Sequence, residues 1–121
     1  MGHFEKLTVW QKSKDLAVKI YNITNEGLIN KDFRLKDQMR AAAVSVASNI
    51  AEGDELQTNK QSIHFFYIAK GSLAELKTQC IIANEIGYLS LQEKEFIINE
   101  CDEISKMLTS LMRIRKEKLN S

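Results

Sequence analysis

The side chains able to do chemistry are few in this sequence, and they stand apart. His64 follows Gln61 by three positions, where a carboxylate-bridged di-iron bundle needs glutamate, so the Glu-x-x-His motif is absent. His3 lies in an N-terminal segment away from other ligand types. Cys80 and Cys101 lack Cys-x-x-Cys spacing, and both fall at apolar positions where a free thiol acts as a small hydrophobe. No metal is expected. Ser45, Ser48 and Ser72 have no histidine base at a suggestive position, which leaves them poor nucleophiles. The glycines stand singly and form neither G-x-G-x-x-G nor G-x-x-x-x-G-K-[ST], so no cofactor cradle is expected either. The chemistry points away from an enzyme and toward a protein that binds or assembles.

Composition says what must position these residues. The 121 residues are 44% hydrophobic and 27% charged, which suits one soluble domain. There is no proline and there are five glycines, too few of either for the tight turns of a β-sandwich or barrel. Helices are therefore expected. The net charge of +1, from 17 basic and 16 acidic side chains, excludes an overwhelmingly basic nucleic-acid binder but leaves room for a local patch. No apolar run approaches the roughly 20 residues that span a bilayer, and no signal-peptide pattern opens the chain. With two cysteines, a bacterial-type cytoplasmic protein with reduced thiols is the expectation.

Periodicity divides the chain into four helices, at about 9–25, 33–52, 59–86 and 91–119. Trp10, Ala17, Ile20 and Ile23 or Thr24 mark the inner face of the first, and Leu35, Met39, Ala42, Ala43, Val46 and Ile50 that of the second. The third carries a heptad seam of Phe66, Ala69, Leu73, Leu76, Cys80 and Ala83, the fourth one of Ile97, Cys101, Ile104, Leu108 and Leu111. Capping boxes are expected at Thr8 with Gln11, Thr58 with Gln61, and Ser90 with Glu93. Gly27, Gly53 and Gly87 are the expected stops, Gly53 and Gly87 as C-caps. Short links make the helices consecutive neighbours, so the fold expected over residues 1–121 is a single all-α domain, an antiparallel up-down-up-down left-handed four-helix bundle.

If the second turn centres near Leu56, the numbers of facing residues sum to roughly 113, given equal rise in both helices. Gly71 then faces Ala42, suggesting close helix contact, and Arg40 falls near Glu75 as an ion pair. The run Ala41 to Ala51, AAAVSVASNIA, clothes nearly every face of its helix in small residues. Ordinary packing explains it, with Asn49 and Ser72 satisfying each other. The sharper reading makes Ala43, Ala47, Ser48, Asn49, Glu52, Gly71, Ser72 and Glu75 helix-contact or oligomer-contact residues.

Charge is unevenly spread. Residues 1–40 carry eight basic and five acidic side chains, residues 41–112 five and ten, and residues 113–121 four and one. The basic end holds Arg113, Arg115, Lys116 and Lys118, cations that complement a helix C-terminus and could be neutralised by Glu52, Asp54 and Glu55. With Lys12 and Lys14 they are the candidate nucleic-acid contacts.

The motifs Leu7-x-Val9-Trp10-Gln11, Leu16 with Ile20-Tyr21, Leu35-x-x-Gln38-Met39-Arg40, Ser45-Val46-Ala47-Ser48-Asn49-Ile50-Ala51-Glu52-Gly53, Phe66-x-Ile68-Ala69-x-Gly71-Ser72-Leu73-x-Glu75-Leu76 and Gly87-Tyr88-Leu89 cover nearly the whole chain. In them the sequence resembles the four helix bundle proteins, also called 23S rRNA-intervening sequence proteins. It is also similar to the accessory variability determinant of diversity-generating retroelements, which forms a ring and works with a reverse transcriptase and nucleic acid. The resemblance implies a homo-oligomer, a pentamer, acting as a non-catalytic scaffold or adaptor for RNA or a nucleic-acid enzyme. Direct RNA binding through basic patches of the ring is the alternative. This chain departs from the family at Ala41 (often arginine), at Ala47 (often proline) and at Asp54-Glu55-Leu56-Gln57 (often basic). The first and last of these departures remove positive charge.

Overall fold

Each periodic stretch becomes one helix. In the computed structural model, α1 spans Thr8–Thr24, α2 Phe33–Glu55, α3 Asn59–Glu85 and α4 Leu91–Asn120, with 3-10 turns at Phe4–Lys6 and Leu28–Lys31. The structure describes residues 3–56 and 58–120, and these contain no strand. The first two residues, the last one and Gln57 of the Asp54-Glu55-Leu56-Gln57 stretch lie outside it.

Local signals set most helix ends. Ser90 and Glu93 form the reciprocal capping box, Glu93 N–H donating to Ser90 Oγ at 3.0 Å and Ser90 N–H to Glu93 Oε1 at 2.9 Å. Thr58 Oγ1 accepts from Gln61 N–H at 3.2 Å. Asp32 caps α2, its Oδ1 accepting from Leu35 N–H at 3.1 Å. At the end of α3, Gly87 takes φ 85° and Tyr88 N–H reaches the Ala83 carbonyl at 2.8 Å, the Schellman arrangement. The Tyr88 hydroxyl then donates to Asp32 Oδ2, tying this turn to the start of α2.

Several ends and pairings differ from expectation. Thr8 is already helical and Leu7 precedes it without a side-chain bond, because Gln11 Nε2 donates instead to the Glu5 carbonyl presented by the first 3-10 turn. Gly53 is no cap. The second helix runs through it to Glu55, and the Gly53 carbonyl accepts from Ser62 Oγ at 2.6 Å. A Cβ on Gly53 would lie 2.6 Å from Phe66 Cε1, so this glycine marks the close approach of α2 to α3. Gly71, expected at that contact, faces open space. Lengthening α2 shifts the turn, and Ser45 meets Ser72 at 2.9 Å, about one helical turn beyond the partner that a turn at Leu56 implies. Arg40 does not reach Glu75. Its Nε donates to Thr24 Oγ1 at 2.9 Å and its guanidinium lies over the Tyr21 ring, so it braces α1.

The heptad seams form the core. Phe66, Ala69, Leu76, Cys80 and Ala83 of α3 are fully buried with Ile97, Cys101, Ile104 and Leu108 of α4, and Met112 rather than Leu111 ends the α4 seam. From α1 and α2 the core takes Leu16, Ile20, Met39, Val46 and Ile50. Buried Ser13 and Thr24 donate to the Val9 and Ile20 carbonyls of their own helix, so neither hydroxyl is left unpaired. Contacts between α2 and α3 run in opposite senses, Ser45 with Ser72 and Gly53 with Ser62. Those between α3 and α4 do the same, Lys77 with Asp102 and Lys116 with Tyr67. Lys12 with Glu100 and Lys19 over Phe96 join α1 to α4.

Candidate functional site

Two faces of the bundle carry features that its stability does not explain. The first lies between α1 and α2. Trp10, Val18 and Tyr21 rise on α1 beside the core stripe, and Val44, Ala47 and Ala51 on α2 are too small to fill the space between. The result is an apolar groove of about 570 Å³, also lined by Phe4. Phe4 packs edge-on against Trp10 at 5.1 Å, which holds the indole at the groove's end. Val18, Tyr21 and Val44 are 55%, 44% and 42% exposed, so the apolar surface continues onto the rim. A second depression next to it runs along Phe4, Ala51, Leu56 and Phe65, with Glu52 and Glu55 at its edge.

The candidate helix-contact and oligomer-contact residues divide among four surroundings. Ala43 is buried in the core and offers nothing to a partner. Ala47 and Ser48 line the groove. Asn49 Nδ2 donates to the Ser45 carbonyl and to Ser45 Oγ, and Ser45 pairs with Ser72, so these three form one polar network between α2 and α3. Asn49 and Ser72 thus share Ser45 instead of meeting directly. Glu52, Gly71 and Glu75 are exposed. The groove's larger residues, Val18, Tyr21 and Val44, were missed as site candidates. Their signal was present, since a helix with apolar residues on a second arc has more than a core to cover.

The basic candidates are also divided. Lys12 sits 3.2 Å from Glu100 and 3.4 Å from Glu103, and the hydrogen bond to Glu100 leads in holding its pKa above the usual lysine value. Lys14 pairs with neighbouring Asp15 at 3.1 Å and leans toward Trp10. Arg115 is committed inside the bundle: Nη2 donates to Asp54 Oδ1 at 3.2 Å and Nη1 to Ser62 Oγ at 3.1 Å, with the guanidinium over Phe66. Arg113 and Lys118 are exposed near the end of α4. Lys116 Nζ donates to the Tyr67 hydroxyl at 2.8 Å, and Lys70 bonds to Thr109 on the same α3/α4 seam. Tyr67 and Lys70 are the members of this second face that sequence reasoning missed, because only the α3/α4 register brings Tyr67 to Lys116 and Lys70 to Thr109.

Cys80 and Cys101 are buried, and burial pushes their thiols up to about 11 and about 12. No group of three or more His, Cys, Asp or Glu able to hold a metal lies among the described residues. No described helix is long and apolar enough to cross a membrane.

Residues 5–110 match the family model described as 23S rRNA-intervening sequence protein. The chain belongs to that family. This intervening-sequence protein is also similar in structure to a crystallised protein with unknown function from the S23 ribosomal protein family of Bacteroides thetaiotaomicron VPI-5482. The TM-score is 0.80 at 28% identity, over 87% of this chain and 98% of the other. No curated protein matches it.

Proposed function

We propose that this intervening-sequence protein is a non-catalytic, self-associating scaffold whose copies meet through the α1/α2 groove. The observation that carries the reading is the groove itself: contiguous, apolar, and continued by exposed Val18, Tyr21 and Val44. Burying such a surface against a second copy removes it from water, while leaving it exposed favours nonspecific association. The arrangement behind it is an up-down-up-down bundle, supported by the opposed senses of the helix contacts. The heptad seams of α3 and α4 favour left-handed supercoiling. Five copies in a closed ring, in the cytoplasm, is the assembly that the motif resemblance suggests, with RNA or an enzyme such as a reverse transcriptase as the partner it presents.

Multi-angle light scattering tests this reading. The wild type is expected to run at several times the 13.8 kDa of the chain, five times for a pentamer. Val18→Glu with Val44→Glu places charge on two exposed groove residues, so the helices stay intact by circular dichroism while the mass falls. A wild type that runs as a monomer, or a double variant of unchanged mass, refutes the groove as the contact.

A further inference from the structure

Across the core from the groove, the half of the α3/α4 seam nearest the C-terminus of α4 carries a strong excess of positive charge around an aromatic ring. From Asn59 to Ala74, α3 has Lys60 and Lys70 and no carboxylate. From Lys106 to Lys118, α4 has five basic residues against Glu117 alone, and of these Arg115 is already paired with Asp54. Tyr67 stands within this field, 53% exposed. The Lys116 ammonium hydrogen-bonds the phenol and lies 5.2 Å from the ring centroid. Lys70 reaches across to Thr109, and Arg113 lies between Thr109 and Lys116 at four- and three-residue steps on the same helix face. The field ends at Lys77, which pairs with Asp102 at 2.6 Å.

We infer that this face binds single-stranded nucleic acid, with Tyr67 as a stacking platform for a base and Lys70, Arg113 and Lys116 as contacts to successive phosphates. An exposed ring edged by lysines, with Glu117 the one carboxylate on these two stretches, has the two parts that sequence-tolerant strand binding needs, a π-face and a cationic track. An acidic peptide would use the cations and gain little from the ring, so the tyrosine favours a nucleic acid. The phenol supports the geometry: the hydrogen bond from Lys116 holds its pKa below the usual tyrosine value, and Lys70 adds to the effect. The face is separate from the groove, so strand binding and self-association can fail independently.

Fluorescence anisotropy with a 5′-labelled U20 RNA tests the inference on the full chain, with light scattering run on each variant. Three phosphate contacts give a log–log salt slope of about −2, hence about a twentyfold loss of affinity between 50 and 200 mM salt. Lys70→Ala with Lys116→Ala should reduce the slope to about −0.7. Tyr67→Ala should weaken binding at least about fivefold, while Tyr67→Phe retains it and U20 is preferred to a 20-base-pair duplex. Lys31→Ala, in the exposed 3-10 turn before α2 and at the other end of the bundle, should bind as the wild type does. The inference is overturned by any of four results: a slope unchanged in the double variant, equal loss in Lys31→Ala, wild-type affinity in Tyr67→Ala, or equally tight binding of a poly-glutamate peptide. A change of mass in the groove variants with intact U20 binding would separate this face from the proposed assembly.

Discussion

One chemical change, glycine to alanine, should have opposite consequences at two positions of this bundle. In a helix interior alanine is favoured over glycine by about 1 kcal/mol. Gly71 faces open space in α3, so Gly71→Ala should realise that gain in full. At Gly53 the new methyl would sit 2.6 Å from Phe66 Cε1, 2.9 Å from Cδ1 and 3.2 Å from the Ser62 carbonyl. The ring cannot retreat easily, since Phe66 is fully buried and Arg115 lies across it. Ser62 holds the two backbones together through its 2.6 Å bond to the Gly53 carbonyl. Overpacking costs about 1–3 kcal/mol, and neighbours this constrained put the site in the upper half of that range, so after the propensity gain of about 1 kcal/mol Gly53→Ala should destabilise by about 1–2 kcal/mol net. In a chain of this length each kcal/mol corresponds to about 4 °C in Tm. Thermal unfolding followed by circular dichroism at one fixed protein concentration should lower Tm for Gly53→Ala and raise it for Gly71→Ala. Phe66→Leu should also cost less in the Gly53→Ala background than in the wild type, because the shorter side chain relieves the clash. A Gly53→Ala protein as stable as the wild type would refute the close approach, and with it the α2–α3 register.

Two further outcomes follow from the same structure. Arg115→Met should destabilise by about 2 kcal/mol in urea titration, since it leaves the Asp54 carboxylate, whose side chain is 11% exposed, without its partner. The thiols, with pKa values near 11 and 12, should react with iodoacetamide at pH 8 far more slowly in the folded protein than in urea. Mass spectrometry reads the difference, and rapid native labelling of Cys101 would refute its burial.

The features legible from sequence are those that one helix settles by itself. A seam at three- and four-residue steps lies on one side of its helix whatever surrounds it, and Phe66, Leu76, Ile97 and Ile104 are buried accordingly. The Ser90–Glu93 box and the Gly87 turn close within a few residues, so their partners were already adjacent in the chain. What required tertiary structure was the register between helices. Gly53 took the close-contact role expected of Gly71 because α2 continues for three residues beyond its expected end, which shifts the α2–α3 pairing by about one turn. Arg40 went to Thr24 for a related reason: a side chain of that length can reach either flanking helix, and only packing selects one. The candidate faces show the same division. Apolar Val18 and Val44, and basic Arg113 and Lys116, are evident in the one-dimensional pattern. That Val18 meets Val44 across a groove, and that Tyr67 stands beside Lys116, depends on how far one helix slides along the next. Backbone periodicity is a property of neighbours in sequence, whereas that sliding is decided by side chains far apart in the chain packing at a common core.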